Sequence, residues 1–265
     1  MTVSPPPLPP RGDLRARVLA GEPTIGAFAT FGSPISAELM ARIGFDWLIV
    51  DLEHGHGTDA ELLPQLHAIQ LTATAALVRV ASSERLRIGR TLDMAADGLM
   101  IPRLETAAEA REAMAWMRYP PAGIRGVALG TRGAGFGEVG HADVAAISQR
   151  VLGVFQVESP LAVRNAREIA AIDGVDVLFV GPTDLSHGMG MPGRITEPAF
   201  LEALDTVVAA CREHGKSAGI LLRTADDVPE HLVRGFTFLG IGADWGFMMN
   251  AGRASLKSAR DAVGD

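Results

Sequence analysis

An alternation that repeats eight times constrains this chain most: a short apolar or β-branched run, then a segment with helical periodicity. The runs are "TIGAFATF" from Thr24, "FDWLIVD" from Phe45, "AALVRVA" from Ala75, "GLMIPRL" from Gly98, "VLGVFQVE" from Val151, "VDVLFVGP" from Val175, "SAGILL" from Ser217 and "FTFLGIGAD" from Phe236. Segments between them, among them "SPISAELMARIG", "SPLAVRNAREIAAI" and "EPAFLEALDTVVAACREHG", read as helices, several opened by Ser, Thr or Asp caps. A last helix starts near Trp245. Eight such pairs within 265 residues predict an α/β protein made of one (β/α)8 (TIM) barrel, with no second domain. The barrel is expected over residues 13–265. Residues 1–12, in "MTVSPPPLPPRGD", are too proline-rich for a helix and read as an extended or disordered tail.

Composition narrows the partner. Hydrophobic residues make up 48% and charged residues 21%, the balance of a compact chain with a large core. No apolar run approaches the roughly 18 residues that span a membrane, and a cytoplasmic location follows by default. The net charge of −7 and the scattered basic residues argue against a nucleic-acid surface and leave a small molecule as the expected partner. The single cysteine, Cys211, rules out an intrachain disulfide and a Cys-rich metal site, and falls in a helical pattern. Only two lysines occur. Lys216 precedes the seventh strand and Lys257 lies on the last helix, so neither reaches the mouth of the barrel and a Schiff-base mechanism is not expected.

In such barrels chemistry is built at the C-terminal ends of the strands. Read in order, those ends carry Asp51, Glu53 and His54, then Arg79, Arg103, Glu158, Asp184 and Asp244. Glu158 in "VFQVES" and Asp184 in "GPTDLS" come from adjacent strands, a source of two hard oxygen ligands for a Mg²⁺-like or Mn²⁺-like ion; the alternative is that each caps the next helix. Gln156 shares a strand face with Glu158 and can bond a ligand or steady a metal ligand. Arg79 interrupts an apolar strand with a permanent cation, which suits a carboxylate substrate or a salt bridge to a neighbouring strand's acid. Asp51 is close enough to His54 to orient its imidazole as a general base. His56 reads as a supporting residue, and His67, His214 and His231 as surface residues of helices. "GFGEVG" from Gly135 matches a dinucleotide fingerprint in spacing, but no buried strand precedes it. With "RYPPAGIRG" it reads instead as a long loop over the mouth of the barrel.

"GFDWLIVDLEH", "RYPPAGIRG", "VFQVES" and "GVDVLFVGPTDLS", in this order, resemble the metal-dependent class II pyruvate aldolases of the HpcH/HpaI type. Those enzymes include 4-hydroxy-2-oxoheptanedioate aldolase and 2-keto-3-deoxy sugar-acid aldolases. The resemblance implies a barrel of the phosphoenolpyruvate/pyruvate-domain type that uses a divalent ion (Mg²⁺, Mn²⁺ or Co²⁺). The implied reaction is reversible cleavage of a 4-hydroxy-2-oxo acid, through a metal-stabilised enolate, to pyruvate or hydroxypyruvate and an aldehyde. By motif it implies Glu158 and Asp184 as metal ligands, Arg79 as the cation on the pyruvate side, His54 as catalytic base, Asp51 as its orienting partner and Asp93 as a further catalytic acid. Gln156, Pro182 and Thr183 complete the expected substrate site. Leu52 and "SHGMGMPG" depart from the commoner family forms and bear on the substrate more than on the reaction. The resemblance also implies a homo-oligomer, a hexamer, that exchanges the last helix, whose Trp245, Met248, Met249 and Leu256 exceed what one barrel wall hides. A citryl- or malyl-CoA lyase, a dinucleotide oxidoreductase and a non-catalytic metal-binding scaffold stand as alternatives.

Overall fold

The computed structural model describes residues 13–264, so the expected tail over residues 1–12 lies outside the described residues. Eight parallel strands close in sequence order into one barrel: β1 (Thr24–Ala29), β2 (Trp47–Asp51), β3 (Ala75–Arg79), β4 (Gly98–Ile101), β5 (Leu152–Val157), β6 (Val177–Val180), β7 (Ser217–Leu221) and β8 (Phe236–Ala243). Each falls within a run picked out by the sequence. The helices are α1 (Leu14–Leu19), α2 (Pro34–Ile43), α3 (Asp59–Ile69), α4 (Arg85–Asp93), α5 (Ala107–Met117), α6 (Val144–Ser148), α7 (Pro160–Arg164), α8 (Ala166–Ala170), α9 (Pro182–Gly188), α10 (Pro198–Glu213), α11 (Val228–Arg234) and α12 (Asp244–Val263). The helix read from "SPLAVRNAREIAAI" is broken into α7 and α8 at Asn165, whose side-chain amide donates to the Glu105 carbonyl at 2.8 Å. The short α1, α6 and α9 hold too few turns to show a period in the sequence. No helix among the described residues is long and apolar enough to cross a membrane.

Strand alternation sorts side chains into two layers. Trp47, Ile49, Leu77, Met100, Val154, Phe179 and Phe238 fill the barrel, while Leu48, Val50, Val78, Leu99 and Ile220 pack outward against the helices. Trp47 stacks on Phe238 with centroids 4.2 Å apart and planes 2° from parallel. Gly26 makes room for this stack, because a Cβ there would lie 2.0 Å from Trp47 Cδ2. The same alternation aims residues at the mouth. Asp51 continues the inward face of Trp47 and Ile49, Arg79 that of Ala75 and Leu77, and Gln156 that of Leu152 and Val154.

Helices of a barrel run from the mouth back to the opposite face, and this corrects one expectation. The segment from "RYPPAGIRG" through "GFGEVG" joins the end of α5 to the start of β5, so it lies under the barrel and not over its mouth. Its contacts agree: Arg125 pairs with Asp93 at the end of α4, and Arg132 donates to the Gln70 side chain and the Met94 carbonyl. The glycine-rich match, residues 135–140, begins inside a kinked 3₁₀ segment (Arg132–Gly137) and has no strand before it, so it makes no dinucleotide fingerprint. Asp244, a strand-end acid, is structural. Its buried carboxylate accepts from the backbone N–H of Thr30, Phe31 and Trp245 and from the Thr30 hydroxyl, tying the start of α12 to the loop after β1.

Candidate active site

The strand β2 ends in an acid held by its neighbour. Asp51 and Arg79 are register partners, and the guanidinium grips the carboxylate with both ends: Nε to Oδ1 at 2.9 Å and Nη2 to Oδ2 at 2.6 Å. Burial opposes ionisation of Asp51, but the Arg79 bonds and the backbone N–H groups of Glu53 and His54 outweigh it and hold the acid below its ordinary value. Arg79 is likewise buried, yet its bond and charge contacts with Asp51 and its attraction to Glu53 keep it firmly protonated. Its Nη1 lies 3.1 Å from Glu53 Oε2, and Phe28 sits under the guanidinium at 5.2 Å.

This arrangement alters one expected role. Asp51 spends both oxygens on Arg79 and on the backbone of residues 53 and 54, so it shapes the turn that presents His54 and does not orient the imidazole. The acid paired with that imidazole is Glu53, with Oε2 3.8 Å from His54 Nε2. Otherwise the His54 side chain is open to the mouth, 68% exposed. The glycines of "EHGHGT" allow the turn to close: a Cβ on Gly55 would meet the Asp51 carbonyl at 2.1 Å, and Gly57 packs against Gly32 of the loop after β1. His56 is exposed, with its backbone N–H on the Thr30 carbonyl. His67 is on the surface, as expected, whereas His214 and His231 are half-buried.

Across the mouth, Glu158 stands just beyond β5. Its Oε1 accepts from the Arg103 backbone N–H at 2.8 Å and its Oε2 from Gln156 Nε2 at 3.0 Å. Burial is the largest influence and pushes its carboxyl above the ordinary range; the charges of Glu53 and Asp184 push the same way, and the Arg103 N–H only partly offsets them. Asp184 lies in the first turn of α9, exposed, beside Thr183 and after the half-buried Pro182. Gln156 is buried and its Oε1 has no hydrogen-bond partner. Glu158, Asp184 and Gln156 are thus brought together with Glu53 and Arg79. Among the described residues no group of three or more His, Cys, Asp or Glu converges on one point. Glu158 and Asp184 could hold a divalent cation, which would relieve their like-charge crowding and, with only two protein ligands, keep positions open to a substrate.

Asp93 is not brought to this mouth. It closes α4 on the opposite face, 2.6 Å from Arg125, because a helix that starts at the mouth ends beneath the barrel. Arg103 is a site residue that the strand-end reading noted and did not use. Its backbone is left-handed, φ 57°, a conformation uncommon outside glycine, and this aims its N–H at Glu158.

Compared with known proteins, residues 24–251 match the model of the HpcH/HpaI aldolase/citrate lyase family. The chain belongs to that family. It is 38% identical over 238 residues to a 5-keto-4-deoxy-D-glucarate aldolase of Klebsiella pneumoniae, covering 89% of this chain and 92% of the relative. A hydroxypyruvate/pyruvate aldolase of Delftia acidovorans is 37% identical over 247 residues, 93% of this chain and 92% of that one. Among solved structures, an HpcH/HpaI aldolase/citrate lyase family protein from Burkholderia cenocepacia J2315 superposes with a TM-score of 0.89 at 33% identity, covering 93% of this chain and 98% of that chain. In this HpcH/HpaI member the strand-end acids, Arg79 and His54 share one mouth, and the two lysines lie away from it: Lys216 just ahead of β7, Lys257 far along α12.

Proposed function

We propose that this protein is a divalent-metal-dependent aldolase that reversibly cleaves a 4-hydroxy-2-oxo acid to pyruvate, or hydroxypyruvate, and an aldehyde. The observation that carries the reading is the Glu158/Asp184 pair facing the Arg79–Glu53–His54 group across one mouth, in a chain of a family whose similar members are named for this chemistry. Glu158 and Asp184 would hold the metal, with Gln156 steadying Glu158. When bound, the ion supplies Lewis-acid stabilisation of the charge that builds on the 2-oxo group as the C3–C4 bond breaks. His54, exposed beside Glu53, takes the proton of the C4 hydroxyl during cleavage and returns it in condensation. Arg79 is fixed on Asp51 and adds a permanent positive charge beside the developing enolate without having to reorganise. Pro182 and Thr183, next to Asp184 at the start of α9, complete the substrate-side wall.

The test is an aldol screen of pyruvate and hydroxypyruvate against a panel of aldehydes after chelation and readdition of Mg²⁺, Mn²⁺ or Co²⁺. Turnover should vanish on chelation and return with a metal. Full turnover after exhaustive chelation, or borohydride trapping of pyruvate on a lysine, would refute the metal-dependent reading.

We also propose a homo-oligomer, a hexamer by the family resemblance, held by α12. Only Asp244 of this helix is buried; Trp245 is 58% exposed and Met248 65%. On α2, Ile35, Leu39 and Ile43 form an exposed apolar stripe, and α11 adds Val233, so α12 of a second copy has an apolar seat. Sedimentation should give a mass well above the monomer, and deletion from Met248 onward should lower it; a fully active monomer at micromolar concentration contradicts the assembly.

A further inference from the structure

We propose that the Arg103 side chain determines acceptor specificity: its guanidinium binds a carboxylate at the end of the aldehyde remote from the reacting carbonyl. The inference rests on the aldolase reading and names the class of acceptor. Arg103 occupies a left-handed backbone conformation that a glycine would take without cost, and it does so to place its N–H on Glu158 Oε1 at 2.8 Å. The side chain is therefore rooted beside the reacting centre. It is exposed, and it makes no hydrogen bond or ion pair with any described residue.

Two other cations among the described residues of the mouth, Arg79 and Arg223, are less well placed. Arg79 already spends Nε and Nη2 on Asp51 and turns Nη1 to Glu53. Asp51, Glu53, Glu158 and Asp184 together would repel a second acidic group on the substrate, and the Arg103 charge, which already acts on Glu53, is free to offset them there. A guanidinium suits a carboxylate because its planar fork can make two parallel bonds. Arg223 follows β7 and is also exposed, but it is three strands away from β4.

The test compares two acceptors of similar length, succinic semialdehyde and pentanal, with pyruvate as donor. Its readout is the ratio of their kcat/KM values, so any loss shared through the Glu158 anchor cancels. In Arg103→Gly, which keeps the left-handed backbone, the acid-to-neutral ratio should fall about 30-fold, the size expected for loss of a charge-assisted hydrogen bond. Arg103→Lys should recover part of that fall. Arg223→Ala removes one rim charge elsewhere and should leave the ratio within about twofold. An unchanged ratio in Arg103→Gly, or an equal fall in Arg223→Ala, overturns the proposal. If the wild-type protein condenses no aldehyde at all, it is the aldolase reading that fails, and calorimetry with succinate then decides this one: binding about tenfold weaker in Arg103→Gly supports it, and equal binding overturns it.

Discussion

Replacing Glu158 by glutamine should leave less than about one thousandth of the wild-type kcat, the scale of losing several kcal/mol of metal-borne charge stabilisation. Glutamine keeps the volume, its carbonyl oxygen can still accept the Arg103 N–H, and a flipped Gln156 amide, whose Oε1 now lacks a partner, can accept from the new NH2, so the mouth should keep its shape. What disappears is the charge. In the folded protein that charge is costly: burial and the nearby Glu53 and Asp184 all push the Glu158 carboxyl toward its neutral form. Without metal, Glu158→Gln should therefore melt at or above the wild-type temperature while losing turnover and binding Mn²⁺ far more weakly. Differential scanning calorimetry, calorimetric metal titration and turnover separate these effects. A folded variant that retains a tenth of the wild-type kcat, or that binds Mn²⁺ as tightly as the wild type, would deny Glu158 the role of metal ligand.

The strands were legible because each is a short apolar run bounded by a turn, and closure of the barrel follows from their number and from the helices between them. Most residues of the candidate site were legible by the same logic, since a charged residue at the mouth end of such a strand has no packing reason to be there. Pair partners were harder to read. Sequence proximity suggested that Asp51 serves His54, yet Asp51 and Arg79 are register neighbours across two strands, and a carboxylate beside a buried guanidinium binds it first. The face of the long loop follows from the helix before it: "TAAEAREAMAWMRY" starts at the mouth and ends beneath the barrel, so a loop that leaves its end and leads to β5 belongs to the opposite face. The Arg103 contact with Glu158 depends on a backbone angle, which no residue pattern reports unless the position is a glycine.

Arg79→Met should destabilise the fold by about 3–5 kcal/mol, because it leaves Asp51 buried without its cation. At present Arg79 holds Asp51 ionised; burial opposes this, and the two guanidinium bonds and two backbone N–H groups overcome it. Removing the guanidinium leaves burial to raise the carboxyl and leaves Glu53 to repel it. Asp51→Asn in the same chain should recover part of the loss, since a neutral amide costs less to bury, and a double-mutant cycle measures the coupling. The pH dependence fixes the sign. Asp51 has a folded value below its ordinary 3.8, so the pair's contribution is fully present above 3.8 and is lost as pH falls through the lower folded value. The stability gap between wild type and Arg79→Met should accordingly be widest near neutral pH and close in acid. Arg79→Lys tests the geometry separately from the charge: an ammonium cannot bond both Asp51 oxygens while facing Glu53, so stability and turnover should both fall. If urea unfolding shows Arg79→Met within about 1 kcal/mol of wild type at neutral pH, the pair is not what holds this end of β2 and β3 together.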